Sequence, residues 1–360
     1  MEEYAILNDL FFITLYGGVT MLDVVAALYL LLRRANAIAP EVTSPVRLRR
    51  WASAFLMAST VSHILWLLYA CHPSSKAYFT VCSLDIMILI PTMAGTMLAM
   101  LQDQRRKIWP IAAAVLPALA LSAICIIRSD ESLFTLISIY AISLYALFIL
   151  YLLFALRRYR RWLRDNYADL EHKEIWQSFL VLALFLLFFI VYSSVTENPV
   201  LLYLLQVDNI LIVCLLLWRI ETLQQLGEAS SAEQAEEGQK NTTPPIPSNI
   251  GPLLQKHCEE GQLYLQHDLT LAHLAQNIGT NRYYLSQHFA QQGITYNAYI
   301  NNLRIRHFVR LYHEAVANHR IFTAQQLAHE SGFHSYSTFS ATFKQNMGTT
   351  VTTWMHSSSE

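Results

Sequence analysis

Apolar residues follow two regimes along this chain. Through the first 220 residues they form long, nearly unbroken runs; beyond residue 250 they recur three and four positions apart within polar stretches. A bilayer core takes about 20 apolar residues as a helix. Seven runs reach that length: 10–32, 51–70, 79–101, 108–127, 133–156, 175–195 and 200–220. Charged or proline-containing breaks separate them. A buried soluble core would not repeat near-uniform spans in this way, so the pattern predicts a seven-helix transmembrane bundle over 1–221.

From Leu269 to Trp354 the pattern becomes that of short amphipathic helices, laid out twice. Thr270 caps a helix whose Leu271, Leu274, Ala275 and Ile278 form one apolar face at i, i+3, i+4 and i+7. Gly279 suits a left-handed turn, Asn281 caps the next helix, and Leu285 and Phe289 lie on its inner side. The plan recurs 53 to 54 residues later. Thr323 caps, Ala324, Leu327, Ala328 and Ser331 keep the spacing, Gly332 turns the chain, Ser335 caps, and Phe339 and Phe343 follow. Between the copies a helix runs from Thr295 to about Ala315, with Tyr299, Leu303, Phe308 and Leu311 on its apolar side. The expected fold is therefore all-α: seven membrane helices, then a soluble domain over 251–360 with two helix-turn-helix units joined by a long helix. Residues 222–250, rich in Glu, Ala, Ser and Gln and containing Thr243-Pro-Pro-Ile-Pro, read as a flexible linker.

Composition sharpens the division. Hydrophobic residues make up 54% of the chain and charged residues only 14%, with a net charge of −1. The cations are segregated. Arg33, Arg34, Arg47, Arg49 and Arg50 follow the first span, Arg105, Arg106 and Lys107 the third, and Arg157, Arg158, Arg160, Arg161, Arg164 and Lys173 the fifth; the alternate loops carry only Lys76 and Arg128. Positive charge stays on the cytoplasmic side, so the N-terminus is expected outside and the C-terminal domain in the cytoplasm. Trp51, Trp109, Trp162, Trp176 and Trp218 fall near span ends, as interfacial anchors do. The acidic start, Met1-Glu-Glu, lacks the basic region of a secretory signal.

Polar groups within spans are costly and need a reason. Asp23, His63, Asp85, Asp208 and Asn209 are of this kind. They either form a site that receives a ligand, an ion or a proton, or they fix helix packing through interhelical hydrogen bonds. Pro91 and Pro117 should bend their helices. Cys71, Cys82 and Cys125 lie near outer span ends and are read as small apolar membrane residues rather than a disulfide. The five cysteines have no metal-ligand spacing, and no HExxH, GxSxG or phosphate-binding loop is present. No enzyme activity, metal or cofactor is expected.

In a helix-turn-helix, the second helix enters the major groove and offers side chains to base edges. Here the outward side of the first such helix carries Arg282, Tyr283, Ser286 and Gln287, and that of the second Tyr336, Ser337, Thr338, Ser340 and Ala341, with Lys344 placed for a phosphate. These are the candidate DNA-binding residues. Five motifs agree in order and spacing: Leu-Thr-Leu-x-x-Leu-Ala at 269–275, Tyr-Leu-Ser-x-x-Phe at 284–289, Tyr-Ile-x-x-Leu-Arg-Ile at 299–305, Leu-Ala-x-x-x-Gly-Phe at 327–333 and Ser-Thr-Phe-Ser-x-x-Phe-Lys at 337–344. By these motifs the stretch 253–356 resembles the C-terminal domain of AraC-type transcriptional regulators. It departs from them at Phe308, where a small residue is usual, and at Val351 and Trp354, which replace a Pro and a Tyr. Ala341 shortens the second reading face, leaving that copy to phosphates and shape.

The resemblance implies a membrane-anchored, one-component transcription factor of the bacterial cytoplasmic membrane. Its membrane half would sense an unknown small-molecule or membrane signal. Double-stranded DNA and the lipid bilayer are the expected partners, with RNA polymerase as a candidate third. From residue 251 the cations Lys256, Arg282, Arg304, Arg306, Arg310, Arg320 and Lys344 nearly balance six carboxylates. Phosphate attraction should then be modest, which favours a homodimer. Ten histidines in the same region could make DNA affinity pH-dependent, but are better read as solvated polar residues. The alternative is a transporter or receptor-like protein whose C-terminal domain is regulatory or an interaction module.

Overall fold

The computed structural model describes residues 9–40, 42–103, 106–107, 109–128, 131–170, 173–175, 179, 199–226 and 250–358. Most of the expected span at 175–195 and most of the linker at 222–250 lie outside the described residues. Among the described residues the regular elements are all helices, with no strand. It divides into two compact units, one of Met1–Arg157 with Ile175–Gly227, the other of Arg158–Glu174 with Glu228–Glu360.

The first unit holds α1 (Leu10–Leu32), α2 (Val46–Cys71), α3 (Ser75–Leu84), α4 (Ile90–Met100), α5 (Trp109–Arg128), most of α6 (Glu131–Asn166) and α7 (Pro199–Thr222). Taking α3 through α4 as one, six of the described helices are long and apolar enough to cross a bilayer. Their apolar side chains point outward as well as inward: Ile142 and Phe154 of α6 are 69% and 66% exposed. Water would penalise such a surface, whereas lipid matches it.

A π-helical segment, Asp85–Leu89, joins α3 to α4, and Pro91 is the second residue of the latter. Proline has no N–H and its ring crowds the carbonyl four residues earlier. The wider turn, in which Ile90 N–H donates to Asp85 O, accommodates both. Pro117 lies inside α5. Gly95 of α4 packs directly beneath the Trp51 indole, and a Cβ there would overlap the ring. Trp51 is therefore a packing residue between α2 and α4. No disulfide joins any of the five cysteines.

One buried network departs from the loop-charge picture. Arg49, expected as a solvated loop cation, is nearly enclosed. Its Nη1 donates to Glu221 Oε1 at 3.2 Å, Asn36 Oδ1 at 3.1 Å and Ser44 Oγ at 2.8 Å. Its Nε donates to Leu30 O at 3.3 Å. Asn36 Nδ2 also donates to Glu221 O at 2.9 Å. These bonds fix the end of α7 to the segment between α1 and α2. Asp103 and Arg106 form a second enclosed pair at 2.6 Å.

The second unit begins with the last turns of α6 and a strap, of which residues 167–170 and 173–174 are described. It continues with α8 (Ile250–Leu253), a π segment (Leu254–Glu260), α9 (Leu271–Asn277), α10 (Arg282–Gln291), α11 (Tyr296–Ala317), α12 (Ala324–Glu330), α13 (Tyr336–Met347) and α14 (Val351–Ser357). Two apolar clusters share α11. Its N-terminal half gives Tyr296, Ile300 and Leu303 to a cluster with Leu271, Leu274, Ala275, Ile278, Leu285 and Phe289. Its C-terminal half gives Ile305, Phe308 and Tyr312 to a cluster with Leu327, Ala328, Phe339, Phe343 and Val351. Phe308 fills the centre of the latter, 4.5 Å from the Phe339 ring and 5.6 Å from that of Phe343. Trp354 closes the cluster over Tyr312 at 5.0 Å. The departures from the family pattern at Phe308, Val351 and Trp354 thus pack against one another.

Arg304 joins the clusters. It is 1% exposed, and donates through Nε to Tyr264 O at 2.8 Å and through Nη2 to Gln266 O at 2.7 Å. Its guanidinium lies 5.7 Å from the Phe333 ring centre. The sequence counts Arg304 among the cations that could meet phosphate. The structure corrects this, because its hydrogen bonds are spent on the carbonyls of Tyr264 and Gln266.

Candidate nucleic-acid interface

Four short helices of the second unit, α9, α10, α12 and α13, start at a side-chain cap. Thr270 accepts from His273 N–H at 3.2 Å, Asn281 from Tyr284 at 2.9 Å, Thr323 from Gln326 at 3.1 Å and Ser335 from Thr338 at 3.3 Å. Such caps satisfy N–H groups that have no partner within the helix. Between α9 and α10, Gly279 takes φ +73°; between α12 and α13, Gly332 takes φ +96°. Gly332 has two reasons to be glycine, since a Cβ would also stand 2.9 Å from Leu265 Cα.

With Leu285 and Phe289 facing inward, α10 turns Tyr283 outward, 47% exposed, while Ser286 and Gln287 are half-buried. Gln287 Oε1 is shut away from solvent. Arg282, the first residue of α10, is not extended into solvent. Its Nε donates to Asn166 Oδ1 at 2.8 Å, and Asn166 Nδ2 donates to Trp162 O at 2.7 Å. In α13, Tyr336, Ser337 and Lys344 are exposed and Thr338 and Ser340 half-buried. The Ser337 and Thr338 hydroxyls both lie 3.1 Å from that of Ser335.

Charge at this face is sparse. Arg320 pairs with Glu330 at 2.6 Å and Arg310 lies 3.7 Å from Glu314. His307 is buried, its Nδ1 accepting from Tyr264 Oη at 2.8 Å and Arg310 Nη2 at 3.2 Å. Burial, and then Arg310, lowers its pKa. His267 is lowered by burial and by His329, whose ring centre is 4.4 Å away. Neither adds positive charge at neutral pH.

The intramembrane polar residues separate into groups. Asp23, 0% exposed, accepts from Asn209 Nδ2 at 3.3 Å and lies 3.8 Å from His63 Nδ1. Asn209 Nδ2 is also 3.4 Å from His63 Nε2. Because Ser59 O can only accept, its 2.9 Å contact places the His63 proton on Nδ1 and leaves Nε2 to accept. Tyr16 Oη donates to His63 O at 2.7 Å. Asp85 accepts instead from Trp66 Nε1 at 2.9 Å. No hydrogen bond or ion pair joins Asp208 to these groups among the described residues.

The sequence reading missed Asn166, Asn297, Asn301 and Glu221. Three are asparagines in amphipathic helices, where nothing local marks a partner far along the chain. Glu221 follows the last apolar run and reads as the first residue of its polar flank.

Residues 274–357 match the family model of a helix-turn-helix domain. No curated protein and no solved structure matches the chain. A domain of this type is a DNA-binding regulatory module. The matched stretch begins within α9 and takes in α10 to α14 and both turn glycines. Residues 274–357 therefore form an AraC-type helix-turn-helix domain, carried on a chain whose N-terminal region has several apolar helices compatible with a membrane domain.

Proposed function

We propose that this chain is a membrane-anchored one-component transcription factor that binds promoter DNA sequence-specifically. The observation that carries the reading is the coexistence of an AraC-type helix-turn-helix domain with long helices whose outward faces are apolar. In this reading α9–α10 and α12–α13 are two helix-turn-helix readers, and α11 spaces them for successive major grooves. Arg282, Tyr283, Ser286 and Gln287 read bases. Tyr336, Ser337, Thr338, Ser340 and Lys344 act more through phosphates and local shape. The membrane domain has seven spans, the N-terminus lies outside, and the reader lies in the bacterial cytoplasm. The modest charge of the reader favours a homodimer, and RNA polymerase is a candidate contact. The Asp23–His63–Asn209 cluster is the signal site, since it ties α1, α2 and α7 through groups that can exchange protons or accept a ligand.

The test uses the full chain in lipid nanodiscs with duplexes from the gene's own upstream region. Specific retention at moderate salt is expected. Replacing Arg282 and Gln287 by alanine should abolish preference over random duplex, while Lys344→Ala should weaken both alike. The sparse charge of the face favours one competing reading, that the domain is a protein-interaction module. Absence of binding to any duplex at low salt would decide for it.

A further inference from the structure

The strap that follows α6 is part of the first reader's core. Ala168 is 0% exposed and belongs to the apolar cluster of Leu271, Leu274, Leu285 and Phe289. Asn297 Nδ2 donates to Tyr167 O at 3.1 Å and to Ala168 O at 2.6 Å. Asn301, one turn on in α11, donates to Ala168 O at 3.2 Å. Tyr167 forms an antiparallel bridge with Thr270, the cap of α9. The strap is also closed on itself. Tyr159 Oη donates to Lys173 O at 3.2 Å, and Lys173 Nζ sits 5.6 Å from the Tyr167 ring centre. Two carbonyls, one apolar side chain and a bridge make this a built contact. It places Asn166 against Arg282.

That placement matters because of where Arg282 is. The first residues of a recognition helix approach the base edges, and arginine reads a guanine with two N–H groups of its planar fork. An Arg282 whose Nε is held by Asn166, at a helix start lined by the strap, must leave that bond to extend its whole fork into a major groove. Gln287 Oε1 is enclosed as well.

We propose that the strap, residues 167–170, together with Asn166 at the end of α6, is an internal competitor of DNA for the first reader. It docks on Thr270, Asn297 and Asn301, withdraws Arg282, and is released when α6 shifts. Because α6 begins in the first unit and ends at Asn166, a displacement within the membrane bundle reaches Arg282 through one continuous helix. The inference rests on the reading of α10 as a DNA-contacting helix.

The experiment compares full-length wild type, Asn166→Ala and the double variant Asn297→Ala/Asn301→Ala in nanodiscs. Binding of upstream-region duplex and chymotrypsin cleavage at Tyr167 are both measured. Both variants should bind the duplex more tightly. Roughly tenfold is expected for the double variant, which loses the side-chain bonds that hold the strap. It should also be cleaved faster at Tyr167, and duplex added to wild type should speed the same cleavage. Faster cleavage with unchanged or weaker DNA binding would overturn the competition while leaving the DNA reading intact. Cleavage unchanged in the double variant would overturn the docking itself. If no protein retains any duplex, the reading of α10 fails and the competition falls with it.

Discussion

Arg304 shows how much a single side chain decides. A guanidinium taken from water loses several kcal/mol unless its N–H groups are matched. Here two carbonyls of the segment before α9 match them. Arg304→Lys keeps the charge but not the fork. It should destabilise the second unit by about 2–3 kcal/mol, read as a lower thermal midpoint by tryptophan fluorescence. The histidines give a pH effect of definite sign. His267 and His307 have pKa values below the ordinary 6.5. The unfolded chain therefore binds more protons in the window just under that value. Stability of the second unit should hold above pH 6.5 and fall as pH drops below it. Thermal melts from pH 8 to 5 check this, and His307→Gln should flatten part of the slope. Such roles are invisible in the sequence. Seven cations follow residue 251, and nothing local distinguishes the enclosed one.

At the scale of elements, the sequence was most readable where periodicity and capping agree. The apolar face of Leu271, Leu274, Ala275 and Ile278 is buried as its spacing requires, and Thr270, Asn281, Thr323 and Ser335 cap their helices. The span limits of α1 differ from the apolar run at neither end. Less legible was the length of α6, which runs on to Asn166 through a cluster of arginines. Its buried stripe, Leu152, Ala155, Tyr159, Leu163 and Asn166, keeps helical spacing beyond the apolar run, but hydropathy alone ends the element early. The π segment before Pro91 was likewise foreseen only as a bend. Phe308 carries the prediction at this scale. Phe308→Ala should cost about 3–5 kcal/mol and move the emission of Trp354, which closes the same cluster. Asn281→Ala, which removes only a cap, should cost about 1 kcal/mol.

For the whole molecule, the membrane half should report its signal through the Asp23–His63–Asn209 contacts. Asp23→Asn and His63→Gln should abolish the response of a promoter fusion while protein levels stay normal, as checked by immunoblot. Asp208→Asn, outside those contacts among the described residues, should leave more of the response. The second unit is assembled from two separate stretches of chain, Arg158–Glu174 and Glu228–Glu360. Proteolytic release, an obvious way to free a reader from a membrane, should therefore be ineffective with a single cut. A site-specific protease acting between residues 228 and 249 would sever the peptide. The reader fragment would stay on the membrane through Ala168 and the asparagines that hold its carbonyl. It should resist a salt wash after cleavage, and wash away from the Asn297→Ala/Asn301→Ala variant. A nick that would liberate a reader tethered by one strand should leave this one in place.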